Sequence, residues 1–95
     1  MPMPLIHDAK FAPGELYMTP GVLYGLGSHI VLDAYYRHLR CDWSDMSPED
    51  AEANRLAVET GEGRIFSAYQ YGNRRVWVIT EADRSMTTIL LPEEY

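Results

Sequence analysis

Ninety-five residues, 46% hydrophobic and 12% aromatic, describe one small folded domain, 1–95, rather than a disordered chain. Fourteen acidic against eight basic side chains leave a net charge of −6, and Lys10 is the one lysine among the eight. That supply of cations is too small for the basic stripe that tracks a nucleic-acid backbone, so direct nucleic-acid binding is not expected and a protein partner with a basic surface is.

A single cysteine, Cys41, rules out an internal disulfide and suggests a reducing compartment. The start, Met1-Pro2-Met3-Pro4-Leu5-Ile6, has neither the basic leader of a signal peptide nor a long apolar stretch. A cytoplasmic protein without membrane contact is the expectation. A core this small also makes a homodimer a natural way to bury more surface.

In chain order, residues 1–14 read as irregular, ending in the turn pair Pro13-Gly14, and Glu15-Leu16-Tyr17-Met18 as a short extra strand. Thr19-Pro20 opens a first helix over about 20–26, with Val22, Leu23 and Leu26 inward and Gly27 as its stop. Ser28 caps a second helix over about 29–40, whose Ile30, Val31, Ala34, Tyr35 and Leu39 recur at helical spacing. Ser47-Pro48-Glu49-Asp50 opens a third over about 48–60, stopped by Gly61 and thin in apolar residues.

Beyond Gly63 the period changes to alternation. Strands are predicted near 64–71, 74–80 and 86–91, the first two joined at Gly72-Asn73 by a glycine-first, type II′ hairpin. That register pairs Ala68 with Trp77, Phe66 with Ile79 and Arg64 with Glu81, and the aromatic content of this face places it beneath the helices. The predicted fold is therefore α+β: three short N-terminal helices packed on a C-terminal three-stranded antiparallel meander, with the short strand at 15–18 as an addition.

Several blocks resemble a family of small proteins carried on plasmids and other mobile elements. They are Thr19-Pro20-Gly21, Arg37-His38-Leu39 with Asp42-Trp43, Asp50 with Asn54, Arg64 to Tyr69, and Trp77 to Tyr95. Members are called plasmid-related, and some are labelled a restriction-modification subunit. The chain departs from the family pattern at Cys41 and Ser44, where glycine usually flanks the Asp-Trp pair. The resemblance implies a mobile-element origin and no particular reaction.

Candidate chemistry is sparse. His38-x-x-Cys41-Asp42 has the look of half a zinc site, but only His7-Asp8 and His29 with Asp33 could complete four ligands, so no metal is expected. His38 sits near a helix C-terminus, where the dipole favours a cation. No phosphate-cradling glycine loop or nucleophile elbow occurs, and no cofactor is implied.

Two functions remain. One is an acidic, non-enzymatic interaction protein that binds or inhibits a host nucleic-acid-handling or defence complex. Its binding residues would be Asp42, Trp43, Asp45, Glu49 and Glu52, with Glu81, Asp83 and Arg84 in the turn before the last strand. Trp43 reads equally as a plug between helices and sheet. The other is a small ribonuclease or nucleotide-processing enzyme using His38, Arg64, Tyr69 and Arg84, the ribonuclease by analogy with RelE-like toxins in which helices precede an antiparallel sheet.

Overall fold

A computed structural model describes residues 9–95. The chain forms β1 (Glu15–Met18), α1 (Pro20–Gly25), α2 (Ser28–Leu39), α3 (Pro48–Thr60), β2 (Ile65–Tyr71), β3 (Arg74–Thr80) and β4 (Met86–Leu90), then a 3-10 turn, Pro92–Glu94. Each predicted element is present within a residue or so of its expected bounds. Of the expected irregular segment, residues 9–14 carry no regular structure, and residues 1–8, with the His7-Asp8 pair, lie outside the described part.

The expected antiparallel meander of the last three strands is present, and the short strand at 15–18 joins it to make a mixed sheet. It has four strands in the order β1-β4-β3-β2, and β1 runs parallel to β4. A parallel pair needs a long crossover, and here everything from α1 to β3 supplies it. Within β2–β3 the register is the predicted one: Ala68 lies opposite Trp77, Phe66 opposite Ile79 and Tyr69 opposite Val76. Gly72 takes a φ of 61° in the turn, as the first position of a glycine-first hairpin requires.

The face under the helices is the opposite of the expected one. Val22 of α1 and Ala34 of α2 pack on Tyr69, Val76, Val78 and Ile89, all essentially inaccessible. Phe66, Ala68 and Trp77 lie on the other face, half-buried; Ile79 beside them is nearly closed off. The physical reason is fit. Two valines and an isoleucine make a flat, β-branched surface on which a short helix with alanine at its centre can seat closely. The larger rings pack on one another instead: Phe66 and Trp77 are 4.9 Å apart between centroids, and Tyr95 closes on Trp77 at 5.6 Å.

Helix ends show where local rules were followed and where distant residues took over. Ser47 accepts the backbone N–H of Asp50, as a serine cap should. Thr19 does not cap α1; its hydroxyl donates to Glu94, whose other oxygen accepts the Gly21 N–H at 2.8 Å. Leu23, expected inward, is 54% exposed.

At the end of α2, Cys41 N–H bonds the His38 carbonyl and Asp42 N–H the Arg37 carbonyl. This paired arrangement puts Cys41 at the left-handed position normally given to glycine, with φ 62°. Replacing Cys41 by Gly is expected to leave the protein about 1 kcal/mol more stable than replacing it by Ala, measured by chemical denaturation.

Candidate functional site

His38 is the most strongly placed polar residue of the chain, and it is fully buried. Its Nδ1 lies 2.6 Å from Ser67 Oγ and its Nε2 2.8 Å from Thr80 Oγ1. Phe11 closes the site edge-on to the ring. The ends of this chain of bonds fix every proton in it. Thr87 donates to the Pro13 carbonyl at 2.7 Å, so its oxygen must accept from Thr80, and Thr80 in turn must accept from His38 Nε2–H. At the other end the Trp43 indole N–H donates to Ser67 at 2.9 Å, and the Ser67 hydroxyl donates to His38 Nδ1. One neutral tautomer satisfies every member. A charged ring would need both nitrogens to donate, leaving the Ser67 proton without its acceptor.

Burial accordingly pushes the His38 pKa down to about 3. The expected dipole-stabilised cation is therefore a neutral strut between α2 and the sheet. Both ring nitrogens are committed to hydroxyls, and among the described residues no three or more His, Cys, Asp or Glu gather as metal ligands. Trp43 fills the plug role, half-buried with its N–H satisfied.

The other ribonuclease candidates do not meet His38 in an open cleft. Tyr69 is 1% exposed; its hydroxyl has no hydrogen-bond partner among the described residues, and burial raises its pKa. Arg84 sits in the left-handed region with φ 61° and binds only backbone. Its guanidinium donates to the carbonyls of Gly63 at 2.7 Å and Ala57 at 2.8 Å, with longer bonds to Glu81 and Ala82. It ties the last turn to the end of α3, where the Ala57 carbonyl also accepts the Gly61 N–H. Arg64 lies across from Glu81 as expected, at 3.7 Å, and also donates to the Tyr95 hydroxyl.

The acidic stretch is less free than it reads. Arg37, half-buried, takes Asp42 at 2.8 Å and Asp45 at 3.3 Å while lying 4.4 Å over the Tyr69 ring. Burial works against the Asp42 charge, but bonds from Ser44 and Arg37 outweigh it and hold the carboxyl below its usual range. Asp45 also accepts the Gln70 N–H at the sheet edge. Glu52 pairs with Arg55 on the exposed side of α3, where solvent screens the interaction. Asp83 is used by its own turn, accepting Ser85 N–H. Glu49 and Asp50 have no cationic partner among the described residues.

Among the open surfaces of the described residues, two grooves are rich in apolar side chains. Between α3 and the outer sheet face runs a groove of about 390 Å³, with Phe66, Ala68 and Trp77 as its floor, Arg64 and Arg75 in its lining, and Asp50 and Asn54 on the helix wall. Among the described residues Arg75 pairs with no carboxylate; its Nε donates to the Gln70 side chain. A second groove of about 340 Å³, almost wholly apolar, lies between β1 and the helices. No helix of the described residues is long and apolar enough to cross a membrane.

Sequence reasoning missed Arg37, Asn54 and Arg75. Asn54 clamps the outer edge of β2, donating to the Phe66 carbonyl at 2.8 Å and accepting its N–H at 3.0 Å. A buried asparagine in a thin apolar stripe was its available signal. What the fold and the two grooves define is a small α+β protein with an interior polar strut and an aromatic outer groove. In comparisons with protein-family models, with curated proteins and with solved structures, nothing matches this chain.

Proposed function

We propose that the protein is a non-enzymatic interaction module whose recognition face is the groove between α3 and the outer sheet face. One observation carries this reading. The Phe66–Trp77–Tyr95 cluster is left half-open beside Arg64 and Arg75, while the groups suited to acid–base chemistry are buried or bound to backbone. Tryptophan, tyrosine and arginine are the residues that dominate binding energy at interfaces, and a half-buried aromatic floor is where a partner side chain gains most. Glu49 and Asp50, without a cationic partner among the described residues, extend the face with negative charge toward a basic partner surface. The target as a host nucleic-acid-handling or defence complex, and the mobile-element origin, rest on the resemblance of the sequence and its acidity.

The test is affinity capture from the native host with wild type and two variants of exposed residues, Arg75→Glu and Glu49→Gln/Asp50→Asn. The identified partner should bind Arg75→Glu roughly tenfold or more weakly, with folding unchanged. It should bind the neutralised pair less well at low salt, the difference fading as salt rises. Retention of the partner by all variants would exclude this face. Purified protein that cleaves RNA, and stops doing so as Tyr69→Phe, would replace the reading with a nuclease.

A further inference from the structure

The two edges of the sheet are treated differently. On β2 the outward backbone groups of Phe66 are both taken by Asn54, and the outward N–H of Gln70 by Asp45. That is the side-chain blocking by which proteins prevent edge-to-edge pairing. On β1 the N–H groups of Glu15 and Thr19 point inward, to the carbonyls of Ser85, just before β4, and Ile89 of β4. Alternation therefore aims the backbone of Leu16 and Met18 outward, and among the described residues nothing bonds to it.

We propose that β1 is a dimer edge, pairing antiparallel with β1 of a second copy about a twofold axis at Tyr17. This register sets Leu16 opposite the partner's Met18, so that four outward N–H groups find carbonyls. Leu16 and Met18 also line the apolar groove against Leu23 and Leu32, which extends the contact onto the helices. Leu16, Tyr17, Met18, Leu23, Tyr24 and Leu32 are each between 40% and 84% exposed. Covered completely they would contribute at most on the order of 700 Å² per copy, just under the ~800 Å² per partner of a standard stable interface.

Charge permits a second copy despite the net −6. Glu15 is the one charged residue of β1, and the register places it opposite the partner's Thr19. The two Glu15 positions then stand roughly 13 Å apart along the strands, beyond the ~10 Å over which exposed charges act at moderate salt. Tyr17 faces its own copy across the axis, a favourable aromatic cross-strand pair.

Sedimentation equilibrium over the micromolar range should show a reversible dimer. Leu16→Pro/Met18→Pro removes the outward N–H groups and two side chains that line the groove but leaves the inward Glu15 and Thr19 bonds in place, so the monomer fold should survive by circular dichroism. The dimer should weaken on the order of a hundredfold or more. In a Cys41→Gly background, Tyr17→Cys should cross-link under mild oxidation and Glu15→Cys should not. A wild type that stays monomeric, or a dimer that survives the two prolines, overturns the proposal. So does a monomer that dimerises only after residues 1–8 are deleted, because the chain's own start would then occupy the edge.

Discussion

Acidifying the protein from pH 6.5 to 4.5 is expected to remove about 2 kcal/mol of folding stability through His38 alone. The native pKa, pushed down to about 3 by burial, lies below that of the unfolded chain. The unfolded state therefore binds a proton that the native state refuses. The contribution is fully present above about pH 6.5 and falls by roughly 1.4 kcal/mol per unit down to about pH 3. Carboxylates whose pKa is depressed in the fold, such as Asp42, lose their contribution only at lower pH, so the upper window belongs to the histidine. His38→Gln is the control, since an amide can donate toward Thr80 and accept from Ser67. At pH 7 it should cost about 2 kcal/mol, the scale of disturbing a buried polar pair. By pH 4.5 the gap between wild type and variant should have closed or reversed. Denaturant titrations across that range would show it; parallel pH profiles would mean that the native ring accepts a proton freely.

The strut also explains how much could be read from the chain. Local signals were sufficient for elements: Ser47-Pro48, Gly61 and the Gly72-Asn73 turn act within a few residues, and all stand where expected. Register followed from the turn. The buried face did not, because alternation gives two faces and does not say which one the helices choose. Trp77 and Phe66 read as core because they are large, yet both faces of this sheet are partly covered. The smaller, β-branched face accepted α1 and α2.

The candidate site failed for a related reason. His38, Tyr69 and Arg84 are chemically able residues whose roles were set by distant partners. Ser67 and Thr80 neutralise the first, Arg37 covers the second, and four carbonyls hold the third. Sequence spacing shows none of those meetings. The parallel pairing of β1 with β4 is equally non-local, since the two strands are separated by nearly the whole domain.

Gly14→Ala should be among the most damaging single methyl additions to the fold, at about 3 kcal/mol. Two costs combine there. Gly14 has φ +66°, a left-handed conformation that charges an L-residue about 1 kcal/mol. A Cβ at that position would also stand 2.3 Å from the backbone carbon and oxygen of Ser85 and 2.6 Å from the Arg84 carbonyl. Backbone cannot step aside as the end of a flexible side chain can, so the two segments must separate. Separation pulls on the Glu15 N–H to Ser85 bond and on Thr87 with Pro13, the terminus of the His38 chain. Gly63→Ala supplies the comparison: its φ is +84°, but an added methyl meets nothing within 4 Å. It should cost only about 1 kcal/mol. Equal losses for the two variants in chemical denaturation would mean that the close approach at Ser85 carries no energy. A larger loss for Gly14→Ala, with hydrogen exchange accelerated first at Glu15 and Thr19, would locate the weak seam of the sheet where β1 joins β4.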